Sequence, residues 1–345
     1  MYPIKALRGV RLTKAELGPQ GIRHDRTFML CRVTETGELE KVQLDKHPEC
    51  ALFSQEIIGS AVHVRFHAPP GSTPPSVQTE VLEVPLEPDL GQLARSDVNL
   101  HQSMVNAYRM GSPYDEWFSA CFGFDTVLVY IGDGRRPVLG TFSPKSAMPA
   151  PSKGWLSSVS GFLGGGVGQQ QEDDEPDWLA FSDCAPFLIA TEASLANVSR
   201  RLESGDMDMV KFRPNIVVDG QGEFDEDFWS ELAAAVPEGG ETASPVFTLT
   251  KMCNRCASIN VDYTTGKPAA GEYGVVLKKL MSDRRIDAGY KYAPVFGKYA
   301  FLKGDTPCSL AVSDTVEVTR RSEERPVWDW PMKSKAAARF YGQPI

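Results

Sequence analysis

The stretch Lys251-Met252-Cys253-Asn254-Arg255-Cys256, followed by Ala257-Ser258-Ile259-Asn260-Val261-Asp262-Tyr263, decides how this chain is read. Two closely spaced cysteines with an arginine between them mark a redox or soft-metal site. A closed zinc site needs four ligands, drawn from two such pairs or from one pair plus histidines. The remaining cysteines, Cys31, Cys50, Cys121, Cys184 and Cys308, form no second pair, and the five histidines all fall between His24 and His101. Position 257 is alanine, where a c-type haem attachment needs histidine. A thioredoxin-like motif opens a helix, whereas the residues after Cys256 alternate and then turn at Thr264-Thr265-Gly266, the pattern of a strand and hairpin. Two readings stay open. Either one thiolate binds a metal whose other ligands come from elsewhere, or two reduced cysteines sit in a loop.

Composition narrows the class. At 345 residues the chain exceeds what one core usually holds, so two domains are expected. Apolar residues make up 42% and charged residues 23%, the balance of an ordinary globular protein. No window reaches the roughly 18 uninterrupted apolar residues of a transmembrane helix, and Met1-Tyr2-Pro3-Ile4-Lys5-Ala6-Leu7-Arg8 lacks a signal-peptide core. Seven irregularly spaced cysteines point to a reducing compartment. A net charge of −9 argues against nonspecific nucleic-acid binding, which needs a basic face. Any bound anion must be gripped by local cations against that acidic background.

Along the chain, the β signal dominates. Residues 1–132 carry short runs bounded by turns, among them Arg26–Val33, Ala61–Phe66 and Thr126–Ile131. One helix interrupts them, with Ser112 as cap, Pro113 at its first position and Trp117, Phe118 and Cys121 on its apolar face. Residues 133–177 are rich in Ser, Pro and Gly and close on the acidic run Glu172-Asp173-Asp174-Glu175, the composition of a long mobile insertion. Within it, Trp155–Leu163 is apolar at helical spacing, as expected of a short helix folded onto the body or of a segment that touches a membrane or partner. From 178 to 320 a mixed, β-dominated domain is expected, with Thr191 capping a helix through Glu203 that presents Leu195, Val198 and Leu202 on one face. Strands follow at Ile216–Val218 and Asp314–Val318. Residues 321–345, with Trp328 and Trp330, are expected to strap over the surface. The fold class is therefore α+β and β-dominated.

Several separated segments line up with one family: Tyr2-Pro3-Ile4-Lys5, Arg23-His24-Asp25-Arg26, Phe181-Ser182-Asp183-Cys184-Ala185-Pro186-Phe187, Lys211-Phe212-Arg213-Pro214-Asn215, the cysteine motif and Val261–Gly266. In this order they resemble the MOSC proteins of the amidoxime-reducing component branch. The resemblance implies an N-terminal β-barrel-like domain, a C-terminal MOSC β-barrel domain with peripheral helices, and a bound molybdenum cofactor (Mo-molybdopterin). It places the metal ligand at Cys256, a soft thiolate suited to a sulfur-ligated, high-valent metal, and leaves Cys253 as a nearby packed thiol or, in the alternative, a redox partner of Cys256. Lys5, Arg26, Arg213 and Arg255 become candidates for the pterin phosphate, since a guanidinium grips phosphate through two parallel hydrogen bonds. Asp183 and Asn215 suit the pterin ring nitrogens and amine, and Asn254 offers hydrogen bonds beside the metal ligand. The chain departs from the family at Cys184 and Ala6, where a hydroxyl contact is common.

The activity implied is a molybdenum-dependent reductase of N-hydroxylated substrates such as amidoximes, hydroxylamines or N-oxides. No dinucleotide fingerprint, haem or iron–sulfur motif is present, and no pyridoxal phosphate domain. Electrons are therefore expected from a separate donor, such as cytochrome b5 and its reductase or a flavin reductase. The alternative is a non-catalytic carrier of cofactor or sulfur, as in MOSC domains fused to molybdenum cofactor sulfurases. A monomer is expected. As the chain reads, a cytoplasmic location is expected, with mitochondrial outer-membrane association as the alternative if the N-terminus is incomplete.

Overall fold

The run Phe187–Thr191, buried at every position, has no polar face to offer water and becomes an inner strand of a six-stranded sheet. The computed structural model describes residues 1–72, 79–147, 176–235 and 244–331. The sheet order is Ile216–Val218, Phe187–Thr191, Val295–Leu302, Val246–Asn254, Trp229–Ala235 and Thr315–Arg321. Only the first pair is parallel. Gly297 permits the close approach of the second and third strands: its φ is +78°, and a Cβ there would meet the Ile189 carbonyl oxygen at 2.8 Å.

The N-terminal half holds a five-stranded antiparallel sheet, ordered Leu39–Lys41, Phe28–Val33, Thr126–Tyr130, Ser103–Arg109 and Arg95–Leu100. A three-stranded meander, Phe53–Ile58, Ala61–Phe66 and Leu82–Pro85, faces it across a core of Phe28, Leu30, Phe53, Val62, Val64 and Leu128. The helix Tyr114–Phe122 plugs this core with Trp117 and Phe118, whose rings lie 5.9 and 5.8 Å from Phe53. Among the described residues the α-helices are this one, Glu192–Ser199 and Val276–Met281, so the β-dominated α+β class holds.

Some local expectations shift. Pro113, rather than Ser112, occupies the N-cap position of the first helix, with no side-chain cap bond. Thr191 caps the second as read, accepting from Ser194 N at 3.1 Å. That helix stops at Ser199 instead of reaching Glu203, because the chain tightens into turns there, with Leu202 N donating to Ser199 O at 2.9 Å. Beyond Cys256 the expected strand is a 3₁₀ turn, Ala257–Asn260, and the hairpin begins only at Val261–Asp262 paired with Lys267–Pro268. Ser258 and Ile259 are buried consecutively, which an alternating strand cannot provide.

The two halves interlock. Strand Lys14–Gly18 leaves its own half to pair with Cys308–Ala311, and Leu17 and Ile22 enter the core built on Phe187, Ile189, Trp229 and Phe247. The segment after 132, expected to be mobile throughout, begins as ordered chain. Arg136–Pro137 pairs with Trp178–Leu179, and Phe142 is fully buried against Trp328 and Trp330. Its Trp155–Leu163 stretch lies outside the described residues. The surface strap is seen at 327–330: Trp330 is buried, and Lys251 Nζ donates to Val327 O at 2.6 Å.

Candidate active site

The strand Val246–Asn254 delivers the cysteine motif to the junction of the halves. Its ladder with Val295–Leu302 shifts register between Leu249 and Met252 and again between Met252 and Asn254. Such irregularities re-aim side chains, and here Lys251, Met252 and Cys253 are all buried in succession. Arg255 N then donates to Pro294 O at 2.8 Å, after which the chain turns and leaves Cys256 exposed. Around that thiol lies one cleft, lined by every candidate from the sequence: Lys5, Arg26, Asp183, Arg213, Asn215, Asn254, Arg255 and Cys256.

Cys256 Sγ lies 3.2 Å from Ser258 Oγ. Desolvation pushes its thiol above the ordinary value, against the pull of the Ser258 hydroxyl, so ligation of a metal there would displace a proton. Cys253, which lines the same cleft, is held differently. It is buried, accepts from Arg255 Nη1 at 2.9 Å and reaches Tyr299 Oη at 3.3 Å. Arg255 also donates through Nη2 to Phe212 O at 2.9 Å, which fixes its fork in the cleft wall.

The cations come from distant segments. Two guanidiniums lie over the Tyr2 ring, Arg26 at 4.6 Å and Arg213 at 4.2 Å from its centroid. Burial pushes the Tyr2 hydroxyl up to about 12, so it stays protonated. Arg26 Nη1 donates to buried Asp25 at 2.5 Å, and Arg213 Nη1 to Leu7 O at 2.8 Å. Arg26 and Arg213 both have left-handed backbone, at φ +52° and +56°. Asn215 lines the cleft, but its amide is engaged inward: Oδ1 accepts from Leu188 N at 3.1 Å and Arg26 Nη1 at 3.2 Å, and Nδ2 donates to Asp25 at 3.0 Å. Here it braces Arg26.

Lys5 does not stand free for an anion. Its ammonium pairs with Asp183 Oδ1 at 2.5 Å, and desolvation lowers it to about 8 although Asp183 pulls it back up. Asp183 is half-exposed into the cleft. Desolvation alone would raise its carboxyl, but Lys5 and His101 together hold it well below the usual carboxylate range.

Several functional side chains went unread in the sequence. His101 sits in the turn between Leu100 and Ser103 with φ +56° and places Nε2 3.1 Å from Asp183 Oδ1. Arg136, buried completely, donates to the carbonyls of Ala180, Ser182 and Asp183 and so shapes the Asp183 loop. Neither belongs to a motif. Tyr299 was equally silent, an ordinary residue in an apolar strand.

Four atoms along this wall are buried without a protein partner among the described residues: Ser182 Oγ, Asn254 Oδ1, Asn254 Nδ2 and Arg255 Nε. A buried polar atom left unpaired costs about 1–3 kcal/mol, so these donors and acceptors call for a polar ligand. Mixed donors, mixed acceptors, an exposed soft thiol and flanking guanidiniums form a set that fits a phosphorylated pterin carrying a thiolate-bound metal.

Comparison with known proteins gives the family. The MOSC N-terminal beta barrel domain matches residues 1–125 and the MOSC domain residues 176–317. Mitochondrial amidoxime-reducing component 1 of Mus musculus is 35% identical over 322 residues, covering 92% of this chain and 79% of that protein. Its Homo sapiens counterpart is 25% identical over 330 residues, 92% of this chain and 80% of the relative. The human molybdenum cofactor sulfurase is 22% identical over 327 residues, 92% of this chain but 31% of the sulfurase. With its motif segments gathered into one cleft and the MOSC matches spanning both halves, the chain belongs to the MOSC-domain family, in the branch of the amidoxime-reducing components.

Proposed function

We propose that this protein is a molybdenum-cofactor-dependent reductase of N-hydroxylated compounds, among them amidoximes, hydroxylamines and N-oxides. Its electrons come from a separate protein donor, such as cytochrome b5 with its reductase or a flavin reductase. The observation that carries this reading is the meeting, in one cleft, of the exposed Cys256 thiol with the unpaired amide of Asn254 and cations from both halves. A bound molybdenum cofactor would supply the two-electron redox centre. Cys256 would hold its metal, Arg213 and Arg26 its phosphate, and Asn254 and Ser182 its polar ring atoms. Asp183, kept ionised, presents an acceptor to whatever enters the cleft. The names of the amidoxime-reducing relatives support the substrate class.

A carrier of cofactor or sulfur is the second reading, favoured by the similarity to the sulfurase along 92% of this chain. One experiment separates the two. Wild type and Cys256→Ala are made in a cofactor-producing host, molybdenum per chain is measured by elemental mass spectrometry, and benzamidoxime reduction is followed with a reduced donor. Near-stoichiometric metal and turnover in wild type, both lost in Cys256→Ala, are expected. Metal without turnover would favour the carrier, and no metal in either protein would overturn both readings. Turnover with NADH alone would overturn the external donor.

A further inference from the structure

Cys256 has a neighbour to which the motif gives no role. Ser258 Oγ lies 3.2 Å from Cys256 Sγ, and the hydroxyl has no other side-chain or backbone partner among the described residues. Ser258 is buried, yet it lines the same cleft as the thiol. A buried hydroxyl with one partner is oriented by that partner, since leaving it unpaired costs about 1–3 kcal/mol.

The fold holds the pair in place. Both residues belong to the turn that follows the strand Val246–Asn254, with Cys256 at the N-cap of the 3₁₀ helix Ala257–Asn260 and Ser258 inside it. The turn is tied at both ends. Arg255 N donates to Pro294 O at 2.8 Å before it, and Asn260 Oδ1 accepts from Leu277 N at 3.0 Å at its close. Between these ties Ile259 is buried in the core of Val276, Leu280 and Phe296. The backbone that carries Ser258 cannot shift away from the thiol without unseating Ile259.

Which atom donates depends on the state of the sulfur. A free thiol and a hydroxyl can each donate to the other. Binding a metal replaces the S–H bond with a sulfur–metal bond and releases the proton to solvent. The sulfur then has only lone pairs to offer, and Ser258 becomes the donor. A hydrogen bond to a metal-bound thiolate draws off electron density that the sulfur would otherwise give the metal. Bonds of this kind help to set the reduction potentials of sulfur-ligated centres.

We propose that Ser258 is a positioning residue for the metal ligand: its hydroxyl donates to the ligated Cys256 sulfur and raises the reduction potential of the centre in the cleft. This rests on the reading of Cys256 as the metal ligand and holds whichever compound is reduced. Weaker donation from the sulfur makes the metal easier to reduce, which favours electron entry from the donor protein. The charges of Asp45 and Arg255 also reach the sulfur. Neither changes when Ser258 alone is replaced, so variants at this position isolate the hydroxyl.

A redox titration of the metal-loaded chain, followed by electron paramagnetic resonance, tests this. Ser258→Ala, at wild-type molybdenum content, is expected to favour the oxidised metal about tenfold more than wild type does, a fall of ~59 mV for a one-electron couple. Ser258→Thr keeps the hydroxyl and should keep the wild-type potential. A potential unchanged or raised in Ser258→Ala, or equally lowered in both variants, would overturn the proposal. A second readout needs no variant. In one-electron-reduced wild type, the resonance should show coupling to an exchangeable proton that disappears in D2O. Its absence would overturn the role of Ser258 even if a variant failed to hold metal. Wild type without molybdenum would overturn the ligand reading of Cys256 and the role of Ser258 together. Molybdenum with the potential shift, but no turnover of benzamidoxime, would support Ser258 and count against the reductase.

Discussion

Cys253 and Arg255 form a fixed pair, the guanidinium donating to the sulfur at 2.9 Å inside the cleft wall, while Cys256 stands exposed just beyond. The two cysteines of one short motif therefore have different work. Cys253→Ala removes a buried partner of a buried cation and should destabilise the fold by about 1–3 kcal/mol. Cys256→Ala, at an exposed position, should change stability by less than about 0.5 kcal/mol and yet lose the metal. Thermal melting and elemental analysis on both variants check this contrast.

Tyr2 holds two guanidiniums, Arg26 and Arg213, over its ring. Tyr2→Leu should remove about 0.5–2 kcal/mol per stacked cation and release Arg26 and Arg213 from their shared geometry. Molybdenum content should fall severalfold. Tyr2→Phe keeps both stacked contacts and loses only the 3.3 Å bond from the hydroxyl to Pro214 O, so its metal content should match wild type.

Arg136 gathers the carbonyls of Ala180, Ser182 and Asp183 around one buried fork, and no other side chain is shaped to replace it. Arg136→Met should cost about 3 kcal/mol, as several carbonyls lose their donor. Arg136→Lys, with a single ammonium, should recover part of the stability and less of the turnover. Chemical denaturation beside kinetics separates the two effects.

Glu226 is the place where pH should act on stability. It is fully buried, Oε2 accepts from Thr191 and Ser194, Oε1 has no partner among the described residues, and desolvation raises the carboxyl to about 7. A folded-state value above the unfolded one means that the native state holds its proton longer. The benefit is complete below about pH 4.5 and is lost as pH rises through about 7. Wild type should thus lose on the order of 2–3 kcal/mol between these limits from this group. Glu226→Gln should flatten that slope and be the more stable form at pH 8, as melting temperatures across the range would show.

How much of this was legible beforehand depends on the range of the interaction. Ala61–Phe66, Ile216–Val218 and the Thr191 cap were read correctly because alternation and capping act over a few residues. The strand expected after Cys256 failed for the opposite reason. Its conformation is set by where Ser258 and Ile259 find burial, a matter of neighbours distant in sequence. Arg136 was read as part of a loose insertion, since nothing near it announces that Ala180, Ser182 and Asp183 will close around its guanidinium.

By itself, the sequence determined the β-dominated class, the family and the motif side chains that gather at the cleft, because those follow from residue type, short-range pattern and motif order. It could not assign their partners. That Asn215 braces Arg26, that Lys5 binds Asp183, and that His101 joins them across 82 residues of chain were decided by the tertiary structure. A side chain's chemistry is written in its own identity, but its hydrogen-bond partner, its desolvation and hence its protonation depend on which distant groups the fold brings within about 3 Å of it.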